Sequence, residues 1–579
     1  MRLSDYVIQF LRDSYKVDTF FTLSGGGCIF LMDSLGTVEN IKYVANHHEQ
    51  ASAMAAEGYA RMHNKIGCCI VTSGPGGTNT LTGVLGSWLD SIPMIVISGQ
   101  VNKEMTTNYT ELPLRQLGDQ EFDIVNLVKS MTKYAVQVND PKTIRYHLEK
   151  ACFEATNGRP GPVWLDLPLS TQSSDINPED LISFTPENKT PTPTDEEINH
   201  IVEKLNNSKK PLIIAGNGIR LSGGIDEFKK FLNKTNIPVI TAVNGNDIIN
   251  ESYINYAGRF GTHAQICANN LLDECDFLLT IGSRLYIRQT GYNFKSFAKN
   301  AYKIYTDIDL NELNKPSLFP NYKVHTDAKA LLDRLNHQPI KTTPVDWQTY
   351  IQDKFKYNIT VLDKHRNKIN IVSNYHFIEK LNNHLTEKDH VITSDGSANI
   401  VTMQVLKLKG NQRLITNTGC APMGYGLPAA IGASSNNTRV ICLEGDGSLH
   451  LNIHELQTMK HNNLPIKLII LNNNGYLSIK LSQKFLFKGK YVASEENSGV
   501  TFPNFKKLVK AYDLPYFNIK NHNEIDSVLK KFLKSNKPSV LEVFTDENES
   551  HEPRVIPVLD ENKNFIPGEL NNIQWIQEF

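Results

Sequence analysis

Short, uninterrupted apolar runs recur along this chain, and most of them end in Gly, Ser or Asn. A run of about four to seven apolar residues without polar alternation is typical of a strand buried on both faces, as in parallel sheets. Helical patterns separate the runs, for example over 149–157 and 224–234. The runs lie within 66–74, 92–100, 210–218, 276–283, 439–447 and 465–475. The pattern predicts an α/β fold whose Gly-rich loops gather at the carboxyl ends of parallel strands, where such folds bind ligands.

Two polar stretches that contain proline interrupt this pattern, at 172–197 and 337–347. Both are typical of linkers between domains. They leave segments of about 170, 150 and 230 residues, each close to the size of one or two domains. We expect three doubly wound parallel-sheet domains followed by a C-terminal tail, with the bounds 1–171, 185–336, 348–549 and 550–579.

Composition excludes several functional classes. The 60 Lys and Arg residues nearly balance the 61 Asp and Glu residues, so no basic excess indicates binding to nucleic acid or to a membrane surface. No apolar run reaches the roughly 18 residues of a transmembrane helix. The first helical pattern, around Val7, Phe10 and Leu11, is broken by charged residues, unlike a signal peptide. The eight cysteines are scattered without a CxxC pair, which predicts reduced thiols and a cytoplasmic protein.

The stretch 445–475 carries the most specific chemical signal. Gly445-Asp446-Gly447 follows one buried run, and Asn472-Asn473 ends the next. A carboxylate and an amide oxygen at neighbouring strand ends can share one hard cation, and such oxygen ligands suit Mg²⁺. The glycines let a diphosphate approach the backbone, and Ser448 begins a helix whose free N–H groups favour phosphate. The stretch therefore predicts a magnesium and diphosphate site.

GDG followed at this distance by NN resembles the signature of thiamine diphosphate (ThDP) enzymes. The remainder of the chain resembles the acetolactate synthase large-subunit branch of that superfamily, through blocks at 46–61, 71–79, 90–101, 158–168 and 418–433. The resemblance implies a pyrimidine-binding domain, a central domain like those that bind FAD or another nucleotide, and a diphosphate-binding domain. In that family the catalytic glutamate and the metal site come from different subunits, so it also implies a homodimer or homotetramer with shared active sites.

The resemblance carries over to individual residues. Glu49 matches the glutamate that hydrogen-bonds the cofactor's aminopyrimidine ring, and Gln120 matches an active-site glutamine. Asp446 and Asn473 match the Mg²⁺ ligands, with the backbone carbonyl near Gly475 as the third. Met423 matches the residue that holds the cofactor in its bent shape, and Ala421 the position whose carbonyl receives the cofactor's amino group. The remaining matched positions are Pro75 and Gly76 on the pyrimidine side, and Ser397, Ala398, Asn399, Gly445, Gly447 and Ser448 around the diphosphate.

The central segment resembles the FAD-binding domain of acetolactate synthases. Arg284, Arg288, Asp307 and Asp309 fall in matching stretches, and Gly216-x-Gly218 follows a predicted strand, although the third glycine of a dinucleotide motif is displaced. We expect FAD to bind there. The alternative is a domain kept for packing, with an empty or altered nucleotide site.

Three departures concern the substrate. Residues 475–483 read GYLSIKLSQ and lack the Trp that lines the substrate channel in the family. Asp119, with Arg115 nearby, stands where the family has Phe. Residues 395–399 replace a Gly-Gln-His segment of the family. The first two departures make the acceptor side of the active site more polar.

We expect an enzyme of the transferase or lyase type that decarboxylates a 2-oxo acid, with pyruvate as the expected one, and adds the two-carbon unit to a carbonyl acceptor.

Several alternatives stay open. The acceptor could be a keto sugar of surface-polysaccharide biosynthesis, or the enzyme could be a simple 2-oxo acid decarboxylase. A non-catalytic protein that kept the fold is a further reading, and failure to bind ThDP and Mg²⁺ would favour it. The tail at 550–579 could fold over the active site or pack against a second subunit.

Overall fold

Three sheets of six parallel strands organise the chain. The computed structural model describes residues 1–187, 190–559 and 565–575. In each sheet the strand order reverses once, so each is doubly wound, with helices on both faces. The predicted α/β class with three such sheets is confirmed. Among the described residues, no helix is long and apolar enough to cross a membrane.

The first sheet has the order β2-β1-β3-β4-β6-β5. Its strands are β1 (Thr19–Thr22), β2 (Lys42–Ala45), β3 (Gly67–Val71), β4 (Met94–Gln100), β5 (Tyr134–Gln137) and β6 (Pro162–Pro168). Its helices are α1 (Leu3–Tyr15), α2 (Ile29–Thr37), α3 (Glu49–His63), α4 (Pro75–Asn79), α5 (Leu81–Asp90), α6 (Ile124–Val128), α7 (Ile144–Thr156) and α8 (Leu169–Gln172). The central strands β3 and β4 are buried throughout, as the apolar runs predicted.

The second sheet has the order β12-β11-β10-β7-β8-β9. Its strands are β7 (Pro211–Ala215), β8 (Val239–Thr241), β9 (Tyr256–Arg259), β10 (Phe277–Ile281), β11 (Tyr302–Asp307) and β12 (Tyr322–His325). The helices around it are α9 (Asp195–Asn207), α10 (Gly218–Leu221), α11 (Ile225–Thr235), α12 (Ile266–Glu274), α13 (Ile287–Thr290), α14 (Leu310–Asn314), α15 (Ala328–Asn336) and α16 (Val345–Lys356). We expected the third domain to begin at residue 348, which lies inside α16. Trp347 of the same helix packs into the core of the second domain.

The third sheet has the order β14-β13-β15-β16-β18-β17. Its strands are β13 (His390–Thr393), β14 (Leu414–Ile415), β15 (Val440–Gly445), β16 (Ile466–Asn472), β17 (Tyr516–Ile519) and β18 (Ser539–Phe544). Its helices are α17 (Asp363–Arg366), α18 (Asn374–His384), α19 (Gly396–Val405), α20 (Gly426–Ser434), α21 (Asp446–Leu449), α22 (Glu455–His461), α23 (Leu477–Phe487), α24 (Phe505–Ala511) and α25 (Ile525–Phe532). The runs at 439–447 and 465–475 are therefore the neighbouring strands β15 and β16, as expected.

Two helices join the first and third domains through their backbones. A Cβ at Gly58 of α3 would lie 2.3 Å from the Ala429 carbonyl oxygen of α20, and a Cβ at Gly432 of α20 would lie 1.8 Å from that of Ala55. Only glycine leaves room for so close an approach. The contact buries one apolar core that is common to both domains.

The tail connects the third domain to the second. It contains four short strands, β19 (Arg554–Val555), β20 (Val558–Leu559), β21 (Phe565–Ile566) and β22 (Ile573–Gln574), paired as β19 with β22 and β20 with β21. The Val555 N–H donates to the Thr262 carbonyl at 3.0 Å, and Asn269 donates to the Leu570 carbonyl at 2.9 Å. Parts of the predicted tail (560–564 and 576–579) and of the first linker (188–189) lie outside the described residues.

Candidate active site

Glu49 lies at the carboxyl edge of the first sheet, where it is the first residue of α3. Its side chain is buried, and one carboxylate oxygen accepts a hydrogen bond from Asn79 Nδ2 at 3.0 Å. The free N–H groups and the dipole at a helix N-terminus stabilise a carboxylate there. Asn79, which the sequence reasoning missed, orients the candidate catalytic acid.

The loop after β3 brings the other predicted residues of this half to the same edge. Pro75 begins α4 and Gly76 is buried behind it. Gly74 has φ +57°, and a Cβ there would lie 2.4 Å from the Gln120 carbonyl oxygen, so glycine is required. Gln120 itself has φ +57° and an exposed side chain. The close contact holds the Gln120 backbone against the Pro75 loop and leaves its side chain exposed.

The segment 102–122 carries Gln120 on an ordered but exposed loop. Glu121 anchors it by accepting hydrogen bonds from the Thr107 N–H at 3.0 Å and the Leu117 N–H at 3.1 Å. The loop presents large apolar side chains to solvent, among them Leu112 at 63% and Leu117 at 43% exposed. We name this surface the 102–122 loop.

Asp446 and Asn473 meet at the carboxyl edge of the third sheet. Asp446 is 1% exposed and accepts hydrogen bonds from the N–H groups of Gly447 (2.7 Å), Asn473 (3.0 Å) and Gly475 (3.3 Å). Burial raises the pKa of the Asp446 carboxyl to about 7, although these backbone hydrogen bonds act in the opposite direction. The buried Asn473 Oδ1 has no hydrogen-bond partner among the described residues. A buried carboxylate and an unpartnered amide oxygen form the donor set that fits Mg²⁺.

The groups around this pair leave room for a diphosphate. A Cβ at Gly445 would meet no atom within 4 Å, so this side of the loop is open, whereas one at Gly447 would lie 2.3 Å from the Tyr476 ring. The Ser448 hydroxyl accepts the Gly424 N–H at 2.8 Å, which ties α21 to the loop before α20. An oxygen-rich ligand can therefore reach the backbone between β15 and α21.

The loop before α20 carries Ala421 and Met423. Ala421 adopts φ +50°, and its N–H donates to Asn417 Oδ1 at 3.2 Å, which fixes the direction of its carbonyl. Met423 is half-buried, so one face of its side chain remains available for contact.

The segment 395–399 is held by the protein itself. Ser397 Oγ lies 2.8 Å from His551 Nε2 of the tail, and Asn399 Nδ2 donates to Thr416 Oγ1 at 2.6 Å. Ala398 is buried. These side chains are already paired, so the backbone N–H groups at the start of α19 are what this segment offers to a phosphate. His551, 154 residues further along the chain, had no local sequence signal.

The structure places three residues of the segments that depart from the family pattern. Lys480, in the segment that lacks the Trp, is buried in α23 and pairs with Glu495 at 3.4 Å. Arg115 lines an open groove of the 102–122 loop, and Asp119 is exposed on the same loop. Glu49 begins α3 in the first domain and Asp446 begins α21 in the third, and among the described residues no hydrogen bond joins their side chains.

A cavity of about 350 Å³ lies at the carboxyl edge of the second sheet. Arg284 and Asp307 line it, together with Gly218 and Ser283. Burial raises the pKa of Asp307 to about 6, and Ser283 Oγ is buried without a partner among the described residues. A second cavity of about 540 Å³ shares part of its wall. The cavity thus offers a carboxyl group, a guanidinium, a hydroxyl and glycine backbone at the carboxyl edge of a sheet. These groups fit a nucleotide such as FAD.

Two other predicted residues lie outside this cavity. Asp309 caps α14 and pairs with Arg159 at 2.9 Å, whereas Arg288 is exposed and does not line the cavity. Of the four residues that the resemblance suggested, Arg284 and Asp307 line the cavity.

Comparison with known proteins gives a consistent assignment across the chain. Three family models match: the N-terminal TPP binding domain of thiamine pyrophosphate enzymes at residues 1–127, their central domain at 198–335, and their C-terminal TPP binding domain at 395–543. The acetolactate synthase large subunit of Lactococcus lactis subsp. lactis is 31% identical over 571 residues, which cover 96% of this chain and 94% of that one.

Two further relatives agree. The acetolactate synthase isozyme 2 large subunit of Escherichia coli is 31% identical over 96% of this chain and 98% of its own. A probable acetolactate synthase large subunit of Methanococcus aeolicus is 32% identical over 92% and 90%. The chain belongs to the thiamine pyrophosphate enzymes, in the branch of the acetolactate synthase large subunits.

Proposed function

We propose that this protein is a ThDP-dependent enzyme of the acetohydroxyacid synthase type, which decarboxylates pyruvate and joins the two-carbon unit to a carbonyl acceptor. The observation that carries the proposal is the buried Asp446 carboxyl beside the unpartnered Asn473 amide oxygen, at the edge of the third sheet. The named relatives are acetolactate synthases, so they do not favour the keto-sugar acceptor.

The third domain would hold the diphosphate end of the cofactor. Asp446, Asn473 and the Gly475 carbonyl would bind Mg²⁺, and the N–H groups at the starts of α19 and α21 would bind the phosphates. Met423 would support the bend of the cofactor, and the Ala421 carbonyl would accept its amino group. When bound, ThDP supplies the electron sink for the loss of CO₂ and for bond formation with the acceptor.

Glu49 would hold and move a proton at the pyrimidine ring. Asn79 keeps one carboxylate oxygen in place, which leaves the other oxygen free to face a ring nitrogen. A positioned carboxyl group of this kind typically contributes about 10²- to 10⁴-fold to the rate. Gln120, held against the Pro75 loop, would orient the substrate carbonyl from the same side.

The two halves would combine between the subunits of a homodimer, or in a homotetramer built from such dimers. Apolar side chains are exposed on the 102–122 loop of the first domain, and also on α23 beside the metal loop, where Leu486 is 60% and Phe487 61% exposed. Exposed apolar patches of this kind mark interaction sites. The 102–122 loop of one protomer covering α23 of its partner would bring Glu49 to the partner's metal site and exclude water.

The cavity of the second domain supports FAD as a further cofactor. Arg284 and Asp307 would bind its phosphate and ribose groups, respectively. Because carboligation has no net redox change, FAD would act there as a structural element. Purification with bound flavin, detected by its visible absorption after denaturation, would support this; a flavin-free protein that FAD does not stabilise against heat would refute it.

We also propose that the protein is cytoplasmic and does not bind nucleic acid. All eight cysteines are free, and seven of them are buried, which fits a reducing compartment. The proposed domain functions are pyrimidine binding for 1–171, nucleotide binding for 185–336 and diphosphate binding for 348–549.

The deciding experiment incubates the purified protein with ThDP, Mg²⁺, FAD and ¹³C-labelled pyruvate, and follows both CO₂ release and products. We expect acetolactate, and no CO₂ release from an Asp446→Ala variant of equal thermal stability. Acetaldehyde as the only product would replace the proposal with a simple decarboxylase. No CO₂ release by the unaltered protein would overturn both the proposed function and the simple decarboxylase.

A further inference from the structure

Asp90 is the last residue of α5, and its buried carboxylate binds the loop before α20, residues 417–423, which we name the cofactor loop. One carboxylate oxygen accepts the Thr418 N–H at 3.0 Å, and the other accepts the Gly419 N–H at 3.0 Å. A Cβ at Gly419 would lie 2.8 Å from Asp90 Oδ1, so glycine leaves the room that this contact needs. A side chain of the first domain therefore fixes the start of a loop in the third.

Asn417 extends this control to the Ala421 carbonyl. Its Oδ1 accepts the N–H groups of Cys420 and Ala421, both at 3.2 Å, and its Nδ2 donates to Glu57 Oε1 of α3 at 3.1 Å. Together with the two bonds above, four consecutive backbone N–H groups, from 418 to 421, are held by side chains. These bonds set the direction of the carbonyl that is proposed to receive the amino group of ThDP.

The charge around Asp90 connects it to the second domain. Arg61 donates to Asp90 Oδ2 at 2.8 Å and to Glu57 Oε1 at 3.0 Å, and both acidic side chains are fully buried. Because two buried carboxyl groups share one guanidinium, their ionisation favours a second cation nearby. Arg284 of the second domain supplies it, with Nη2 at 3.7 Å from Asp90 Oδ1.

Arg284 also faces the cavity of the second domain. Its side chain is 24% exposed and lines that cavity, and residues 89–91 form part of the same wall. Its guanidinium lies 4.9 Å from the centroid of the Tyr286 ring. A guanidinium has five N–H donors, so Arg284 can bind an anionic group in the cavity and still face Asp90. One carboxylate thus separates the cavity wall from the cofactor loop.

We propose that Asp90 is a positioning residue that couples occupancy of this cavity by FAD to the placement of the Ala421 carbonyl at the ThDP site. This inference rests on the proposed function. FAD orders Arg284 and the end of α5, whereas ThDP orders the cofactor loop. Each ligand then meets a contact that the other has already ordered, so the two bind with positive cooperativity.

Calorimetry measures the cooperativity directly. In the presence of Mg²⁺, saturating FAD should tighten ThDP binding by at least about fivefold, and ThDP should tighten FAD binding by the same factor, because linkage is reciprocal. Asp90→Asn keeps the size of the side chain but removes its charge and one acceptor oxygen, so both effects should disappear. Asp18→Asn, which removes a carboxylate that pairs with Lys65 elsewhere in the first domain, is the matched control and should keep both.

Kinetics distinguishes positioning from a purely structural role. Because a small displacement of the cofactor slows the chemical step, kcat for CO₂ release should fall by about 10- to 100-fold in Asp90→Asn, with KM for pyruvate changed by less than about threefold. The near-ultraviolet circular dichroism of bound ThDP, which reports the tautomer of its aminopyrimidine ring, should change as well. A lower Tm with unchanged kcat and unchanged cooperativity would show that Asp90 only stabilises the fold.

Hydrogen exchange separates this inference from the proposed function, since it needs neither ThDP nor turnover. Saturating FAD should slow amide exchange over 417–421 in the unaltered protein and in Asp18→Asn, but not in Asp90→Asn. If Asp90→Asn does not fold, Arg284→Gln serves at a partly exposed position and should also lose the effect of FAD. Absence of slowing in the unaltered protein, or slowing that persists in the variants, overturns the inference even where pyruvate is decarboxylated. A protein that shows the FAD effect but binds no ThDP would refute the proposed function and leave the link from the cavity to the loop standing.

Discussion

Replacing Gly432 by alanine should separate the two helices that hold the first and third domains together. The new Cβ would lie 1.8 Å from the Ala55 carbonyl oxygen and 2.8 Å from the Tyr59 nitrogen, both backbone atoms of α3. Since an ordinary contact begins near 3.4 Å, α20 has to move by roughly 1.6 Å. No side-chain rotation can relieve the clash.

The cost can be set against the usual gain from alanine in a helix. Alanine gains about 1 kcal/mol over glycine in a helix interior, whereas overpacking of a core costs about 1–3 kcal/mol and sometimes more. Because both clashing atoms belong to a backbone, we expect the upper end of that range and a net loss of about 2 kcal/mol. For a domain of this size the apparent Tm should fall by roughly 4 to 8 °C.

Thermal unfolding followed by circular dichroism measures this directly. The matched control is Gly36→Ala in α2, where a Cβ would meet no atom within 4 Å, so that variant should be as stable as the unaltered protein or slightly more so. ThDP affinity should fall in Gly432→Ala alone, since α20 follows the loop that carries Met423. Equal stability of the two variants would show that the helices are free to move apart, and the reasoning would be wrong.

Three further predictions concern individual carboxyl groups. Glu49→Gln should keep the bond to Asn79 and bind ThDP normally, but release CO₂ from pyruvate about 10²- to 10⁴-fold more slowly; an unchanged rate would contradict its role. Asp446→Ala should weaken ThDP binding in the presence of Mg²⁺ by at least about 100-fold in calorimetry, and retention of affinity would exclude the metal site. Burial raises the pKa of the Asp166 carboxyl to about 7, so the folded chain binds this proton more tightly than the unfolded chain does. The resulting stabilisation is fully present below about pH 4 and is lost as the pH rises through 7. Asp166→Asn should therefore match the unaltered protein in Tm near pH 4 and exceed it at pH 8; parallel pH profiles would be the contrary result.

Much of the fold could be predicted because its strands are buried on both faces. Such strands contain few polar residues, so β15 and β16 stand out as apolar runs, and their parallel pairing brings Asp446 and Asn473 to one edge. The site could be located for the same reason, since polar residues directly after such runs lie at the carboxyl edge of the sheet.

Contacts between distant segments could not be predicted from one sequence. Gly58 and Gly432 each lie inside a helical pattern, where glycine signals a close approach, but the sequence does not say which helix approaches. His551 reaches Ser397 through the path of the tail, which depends on the packing of two domains. Gln120 has a positive φ and its carbonyl lies against Gly74, a contact between residues 46 positions apart that the residue type of Gln120 does not signal.

The contact between His551 and Ser397 has a consequence for how the protein is made. A ribosome synthesises Ser397 and all three sheets before it reaches His551, 154 residues later. Until then the nascent chain lacks the hydrogen bond that holds the diphosphate segment and the strand pairing that attaches the tail to the second domain. Cofactor binding that needs the diphosphate segment held in this way therefore belongs to the period after the last domain has been synthesised.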